Sequence, residues 1–163
     1  MPTYEPYEKL ASTTVHLDPV PRADVEAYLE KFGAVSSPLK GNGDLDEMNW
    51  KAWRDLRAPD YFIQWNIKQG RFQLTADEYI ERWQWSVRSG HIWDALDSTI
   101  HIIDTGFIVE GILRSRHTGA DGNHVTLPMC ETFHLRDGLA AYSCEYVDGT
   151  FMTALDADIP YGW

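Results

Sequence analysis

The spacing of the apolar residues changes once along this chain, near Gly90. Before that residue the apolar side chains recur mostly every three or four positions, which predicts helices, whereas after it they alternate, which predicts strands. We expect these strands at about residues 93–103, 107–117, 124–135 and 139–148, joined as an antiparallel meander. Helices followed by such a meander are typical of an α+β fold, in which helices cover one face of a curved sheet.

Three helices and one strand are predicted before Gly90. The helices are expected from about Arg22 to Phe32, from about Asp46 to Leu56 and from about Thr75 to Ser89, and the strand from Tyr61 to Ile67. Asp44 or Asp46 is the expected N-cap of the second helix, and Ala58-Pro59 is expected to end it, because proline disfavours helix in the residue before it. Thr75-Ala-Asp-Glu78 spells a capping box, which predicts the start of the third helix.

The turn between the last two strands decides which of their side chains share a face. Arg136-Asp-Gly138 predicts a three-residue loop with Gly138 in the left-handed position. That loop places Leu135 opposite Leu139, and Cys130 opposite Cys144. It puts one set of side chains on a common face: Met129, Glu131, Phe133, Ala141, Ser143 and Glu145.

The turn at Asp104-Thr-Gly106 allows two registers. A three-residue loop places His101 and His117 on one face. A two-residue turn instead pairs His101 with Glu110, and Asp97 with Arg114, as surface pairs. Because a shift of one residue swaps the faces of a strand, both interpretations stay open.

The composition limits the functional classes. A chain of 163 residues is expected to form one domain, here residues 21–155, with an arm over 1–20 and a tail over 156–163. The net charge of −11 argues against a nucleic-acid or membrane partner. Without an apolar run of about 20 residues or a basic, apolar start, neither a membrane span nor a signal peptide is expected. Only two cysteines favour a reducing, cytoplasmic location.

No cofactor is expected from the motifs. Gly41-Asn-Gly43 lacks the third glycine of a dinucleotide loop and does not follow a predicted strand. The histidine spacing forms no two-ligand metal motif, and two cysteines on facing strands make a poor zinc site. We therefore predict neither a metal nor a nucleotide.

The order of motifs over about residues 44–150 resembles the scytalone dehydratase-like and SnoaL-like branch of the nuclear-transport-factor-2-like superfamily. The motifs are Asp46-x-x-x-Trp50, Ala58-Pro59 before a strand, Ala76-Asp-Glu-Tyr-Ile80, Thr99-Ile-His101, Ile112-Leu-Arg-Ser-Arg-His117 and the Asp137-Gly138 hairpin. The resemblance implies a cone-shaped, curved antiparallel sheet, with N-terminal helices enclosing one hydrophobic pocket. A homo-oligomer, dimer or trimer, is also implied.

The resemblance further implies cofactor-free acid–base catalysis. Asp46 would orient His117, with His101 nearby, and the imidazole would remove a proton α to a carbonyl. Imidazole suits this role because it titrates near neutral pH. For Asp46 the alternative is a helix cap, and for His117 a histidine at the end of a strand.

The chain departs from the family at several positions. Tyrosines that polarise the substrate carbonyl correspond to Leu45 and Trp65, and a polar pair on the fifth strand corresponds to Leu127 and Met129. In the SnoaL-like branch the working His and Asp correspond to Glu131 and Glu145. Two carboxylates close together in a pocket would raise one pKa and form a general acid. The alternative is that both are exposed or paired with arginine.

The resulting hypothesis is a dehydratase, a lyase that acts on an aromatic or polyketide-type molecule of secondary metabolism. A cyclase or isomerase would use the same α-proton removal, and a non-catalytic binding protein on the same fold is the further alternative. The predicted catalytic residues are Asp46, His117, His101, Glu131 and Glu145. The predicted substrate-binding residues are Trp50, Trp53, Tyr61, Trp65, Met129 and Phe133.

Overall fold

A computed structural model describes residues 15–67, 70–88, 93–118 and 122–147 of the chain. The described part contains three helices and six strands. They are α1 (Arg22–Ala34), α2 (Glu47–Asp55), β1 (Arg57–Ile67), β2 (Gly70–Thr75), α3 (Ala76–Arg88), β3 (Trp93–Ile103), β4 (Gly106–Thr118), β5 (His124–Arg136) and β6 (Leu139–Val147). Most of the predicted arm, the end of α3 at Gly90 and the predicted tail lie outside the described residues. No described helix is long and apolar enough to cross a membrane.

The six strands form one curved sheet in the order β2-β1-β6-β5-β4-β3. All neighbours are antiparallel except β1 and β6, which run parallel. The predicted α+β class is confirmed, but the sheet is mixed rather than purely antiparallel. Strand β2 was not predicted, because its six residues contain only Phe72 and Leu74 as an alternating apolar signal.

The predicted helix starts are confirmed by their capping bonds. The Asp46 carboxylate accepts a hydrogen bond from the backbone N–H of Asn49 at 3.3 Å, and so caps α2. In the capping box of α3, Glu78 accepts from the backbone N–H of Thr75 at 2.8 Å. The backbone N–H of Glu78 donates to the Thr75 hydroxyl at 3.3 Å. These bonds satisfy N–H groups that a helix start leaves unpaired.

The predicted three-residue loop between β5 and β6 is wrong. Arg136 pairs with Leu139, so the turn consists of Asp137 and Gly138 alone, with φ of 53° and 74°. Positive φ at both central residues is the type I′ geometry that matches the twist of a hairpin.

An irregularity directly after this turn restores the predicted faces. Leu135 pairs with Ala140, but His134 pairs with Tyr142, so Ala141 is an extra residue in β6. The expected pairing of Cys130 with Cys144 is wrong, since their partners are Tyr146 and Thr132. The register differs from the predicted one by an even number of residues, so one face still carries five predicted members: Met129, Glu131, Phe133, Ser143 and Glu145.

The turn between β3 and β4 has two residues, but its register is neither of the two predicted ones. His101 pairs with Ile108 and Asp97 with Ile112, so the expected partners Glu110 and Arg114 are wrong as register pairs. Ile103 pairs with Gly106, so Asp104 and Thr105 form the turn. His101 Nε2 then lies 3.0 Å from Glu110 Oε2, and both side chains are about half exposed. This register makes His101 part of a surface pair.

The core between α1 and the sheet is aromatic. Phe107 and Phe133 pair across β4 and β5, and their rings stack with centroids 4.7 Å apart. Tyr28 and Phe32 of α1 pack against them at centroid distances of 5.7 and 5.4 Å. Val25 is fully buried beside this cluster, so α1 turns an apolar face toward the sheet.

Two glycines offer a matched test of this fold. A Cβ at Gly106 would lie 2.1 Å from the carbonyl oxygen of Phe133, whereas a Cβ at Gly33, inside α1, would meet nothing within 4 Å. We expect Gly106→Ala to lower the free energy of unfolding by about 2 kcal/mol or more. Gly33→Ala should raise it by about 0.5–1 kcal/mol, because alanine favours helix. Urea unfolding of both variants measures this, and equal effects would contradict the described turn.

Candidate active site

Two glutamates face each other across the last two strands. Glu131 of β5 is the direct register partner of Glu145 of β6. Opposite residues in such a pair have Cβ atoms about 4.5–5.5 Å apart. Glu145 is buried, at 7% exposure, and Glu131 is half-buried. They share the inner face with buried Phe133, so the interpretation of both as exposed surface residues is wrong.

Hydrogen bonds from Tyr79 and Ser143 hold this pair in place. The Tyr79 hydroxyl of α3 donates to Glu145 Oε2 at 2.6 Å. The Tyr61 hydroxyl of β1 lies 2.6 Å from the Ser143 hydroxyl, which is itself hydrogen-bonded to Glu131. Each carboxyl therefore has its own buried hydroxyl partner, supplied by a different part of the fold.

Burial dominates the electrostatics of the pair. It raises the pKa of Glu131 to about 8, with the charge of Glu145 adding to the rise and Arg57 and Ser143 opposing it. Burial also raises the pKa of Glu145 to about 7, against the hydrogen bond from Tyr79. Because the two carboxyls titrate as a unit, the pair retains a proton at neutral pH. One carboxyl can then donate a proton while the other accepts one.

The surrounding tyrosines stay protonated. Burial raises the pKa of Tyr79 and of Tyr61 well above the ordinary value, and the pKa of Tyr28 to about 12. Their hydroxyls are therefore hydrogen-bond donors throughout the physiological range. This is a fixed set of neutral donors around a pair that can change its charge.

Arg57 is a buried cation beside the pair, and sequence reasoning missed it. It opens β1 and is only 5% exposed. Its Cζ lies 3.1 Å from the centroid of the Trp53 ring, and its Nη1 donates to the Trp53 carbonyl at 2.6 Å. The residues before Ala58-Pro59 were expected to be the end of a helix, so no role was assigned to this arginine.

The other predicted catalytic residues lie in different surroundings. Asp46 caps α2, and its polar contacts are with neighbouring backbone groups. His101 lies in the surface pair with Glu110. His117 belongs to β4, but its side chain is outside the described part of the structure, so the Asp46–His117 dyad stays a prediction.

Most of the predicted pocket aromatics form one continuous series of rings. Trp50 stacks on Trp53 at 5.2 Å, Trp53 contacts Trp83 at 6.1 Å and Trp83 contacts Tyr79 at 5.0 Å. Trp65 meets Tyr79 edge-on at 6.2 Å. Tyr79, whose hydroxyl binds Glu145, belongs to this series, so the rings adjoin the carboxyl pair.

Two further predicted substrate-binding residues flank the pair on its strands. Met129, which is partly buried, precedes Glu131 on the same face of β5, and Phe133 follows it. Phe133 belongs to the aromatic core under α1. The apolar residues of β5 thus separate the carboxyl pair from the helix-covered core on one side.

The fold is shared with solved structures of low sequence identity. A candidate SnoaL-like polyketide cyclase from Jannaschia sp. CCS1 has a TM-score of 0.54 at 15% identity, over 90% of this chain and 98% of that one. A phenazine biosynthesis-related protein from Pseudomonas aeruginosa has a TM-score of 0.59 at 14% identity, over 82% of this chain and 87% of that one. An NTF2-like protein of unknown function from Burkholderia pseudomallei K96243 has a TM-score of 0.53 at 16% identity, over 81% of this chain and 96% of that one.

These likenesses define the class of fold. No protein-family model matches the chain, and no curated protein matches it. The chain has the nuclear-transport-factor-2-like fold in the form that the SnoaL-like cyclase structure also has, which confirms the resemblance at the level of the fold.

The raised pKa values predict how stability depends on pH. An unfolded glutamate titrates near 4.5, so the folded pair binds protons more tightly than the unfolded chain. Its contribution is fully present below the unfolded value and is lost as the pH rises through the folded values, up to about 8. Rising pH therefore lowers the free energy of unfolding. We expect Glu131→Gln to remove much of this decrease, on the order of 2 kcal/mol, because the amide stays neutral.

Chemical denaturation at a series of pH values measures the effect. Glu30→Gln, at an exposed position of α1, is the matched control and should keep the decline seen in the unmodified protein. If Glu131→Gln showed the same pH dependence as this control, the carboxyl would titrate in the ordinary range and the pair would not hold a proton.

Proposed function

We propose that this protein is a cofactor-independent acid–base enzyme acting on an aromatic or polyketide-type small molecule. The observation that carries the proposal is that Glu131 and Glu145 face each other on the inner side of the sheet, where burial raises their pKa values to about 8 and about 7. A carboxyl whose pKa is moved toward the working pH is well suited to taking a proton and returning it. In this proposal Glu131 and Glu145 take the roles that a histidine and an aspartate have in the SnoaL-like branch.

Glu131 is the proposed proton-transferring group. It is half-buried, so part of the residue is accessible, and burial together with the charge of Glu145 raises its pKa. As a carboxylate it would accept a proton from the carbon α to a carbonyl, leaving an enolate. As a carboxylic acid it would return that proton.

The fate of the proton separates the candidate reactions. If it goes to a departing β-hydroxyl, water leaves and the reaction is a dehydration. If the proton goes to another carbon, the double bond moves and the reaction is an isomerisation. If the enolate carbon first attacks a second carbonyl of the same molecule, a ring forms, the proton goes to the new alkoxide, and the reaction is a cyclisation. Dehydration remains the leading prediction, and all three reactions share the first step.

Glu145 and Tyr79 are proposed as positioning residues. The Tyr79 hydroxyl fixes the Glu145 carboxyl, whose charge raises the proton affinity of Glu131. The aromatic series from Trp50 to Trp65 would bind planar apolar substrates, because aromatic rings supply rigid contact area. The SnoaL-like cyclase and the phenazine-related protein with this fold support this substrate class.

Deuterium exchange tests the shared first step without knowledge of the natural substrate. β-Tetralone is a planar aromatic ketone with acidic α-protons, and their replacement in D₂O is followed by NMR. We expect the protein to accelerate the exchange, and Glu131→Gln to reduce the acceleration by about 100-fold or more.

Two further variants sharpen this experiment. Glu110→Gln removes an exposed carboxyl and should leave the exchange unchanged. His117→Gln tests the predicted dyad, because a loss comparable to that of Glu131→Gln would assign the proton transfer to the histidine as well. Exchange that is unaffected by Glu131→Gln would refute the proposed base. Saturable binding of β-tetralone without any exchange would favour the binding-protein alternative.

A further inference from the structure

Two buried donors next to the carboxyl pair have no hydrogen-bond partner among the described residues. They are Nε of Arg57 and the hydroxyl of Tyr28. Arg57 is 5% exposed and Tyr28 is 1% exposed. Buried polar atoms of proteins are nearly always hydrogen-bonded, because leaving one unpaired forfeits its interaction with water. Two such atoms in one region call for an acceptor.

The rest of the Arg57 side chain is held firmly. Nη1 donates to the Trp53 carbonyl at 2.6 Å and the guanidinium stacks on the Trp53 ring. Its Cζ also lies 5.4 Å from the centroid of the Tyr61 ring. However, no ion pair joins Arg57 to a carboxylate within the described residues. A buried cation without a counter-charge is costly. The guanidinium is therefore held in a fixed position, with one buried donor atom left unused.

Contacts place Arg57 in the neighbourhood of Glu131. Its Cζ lies 5.4 Å from the centroid of the Tyr61 ring, and the Tyr61 hydroxyl lies 2.6 Å from that of Ser143, the hydrogen-bond partner of Glu131. The charge of Arg57 acts on Tyr28, on Tyr61 and on Glu131, and the charge of Glu131 acts on Tyr28. The unpartnered donors and the proton-transferring carboxyl thus belong to one neighbourhood. Tyr28 comes from α1 and Arg57 from the start of β1, so two elements build it.

We propose that Arg57 Nε and the Tyr28 hydroxyl bind an anionic oxygen of the ligand, either a carboxylate or an enolate, next to Glu131. The enolate form rests on the proposed function: removal of the α-proton leaves negative charge on the former carbonyl oxygen, and hydrogen bonds from the two donors would stabilise that oxygen. The carboxylate form requires only binding. Arginine suits both, because hydrogen bonds to ionised oxygens are stronger than those to neutral ones. The substrate class is narrowed to aromatic acids and enolisable aromatic ketones.

Calorimetry with a matched pair of probes tests the carboxylate form. β-Naphthoate carries the anionic group, and β-naphthamide is its neutral counterpart of nearly the same shape. We expect the protein to prefer the naphthoate by about 10-fold to 100-fold. Tyr28→Phe, which removes only the hydroxyl, should weaken that preference, and Arg57→Met, which keeps an apolar stem over Trp53, should abolish it. Tyr146→Phe alters an exposed tyrosine and should leave the preference unchanged.

The deuterium exchange of β-tetralone tests the enolate form with the same variants. A slower exchange in Tyr28→Phe with an unchanged naphthoate preference would support the enolate as the bound anion. Loss of the preference in the variants supports the carboxylate, even if the unmodified protein exchanges no deuterium and the proposed function fails. If neither the preference nor the exchange responds to Tyr28→Phe and Arg57→Met, the proposed anion site is refuted. Circular dichroism confirms that each variant is folded.

Discussion

The burial of two like-charged side chains opposite each other is the constraint on which the site depends. Glu131 and Glu145 could share a surface sheet with little consequence, since water would screen them. On the inner face, burial and mutual repulsion make the doubly ionised state costly, so a proton is retained. Tyr79 and Ser143 reduce the cost by donating to the carboxyls. The same feature that costs stability at higher pH makes the pair suitable for proton transfer.

The geometry of one hairpin keeps this pair together. The type I′ turn at Asp137-Gly138 alone would have placed the two glutamates on opposite faces. The extra residue Ala141 corrects the alternation, so that Glu131 meets Glu145. A bulge close to a functional site commonly redirects side chains in this way. The aromatic contact of Phe107 with Phe133 then anchors β5 from its other neighbour.

Local patterns predicted much of the fold. The caps at Asp46 and Thr75, and the alternation after Gly90, need only neighbouring residues to be recognised. The register was harder, because Arg136-Asp-Gly138 suits both a two-residue and a three-residue turn, and Ala141 carries no sequence signature of a bulge. Strand β2 was missed because Phe72 and Leu74 give too short a pattern, and the parallel pairing of β1 with β6 depends on the whole sheet.

The candidate site was only partly predictable for a related reason. Glu131 and Glu145 were found as altered positions of a resembling family, but their raised pKa values depend on burial that only the tertiary structure supplies. Arg57 was overlooked because Ala58-Pro59 marked the end of a helix, whereas the helix ends at Asp55 and Arg57 already belongs to a strand. The contact with Trp53 that orients it arises only once helix and strand are joined.

The most direct test is an NMR titration of the side-chain carboxyl carbons, with the signals of Glu131 and Glu145 assigned from the two single glutamine variants. If the pair is buried and shares a proton, both carboxyls should titrate at pH values well above the ordinary range for glutamate. At least one titration midpoint should lie at or above neutral pH. If both carboxyls titrated near 4.3, as exposed glutamates do, they would be fully ionised at neutral pH and the account would be wrong.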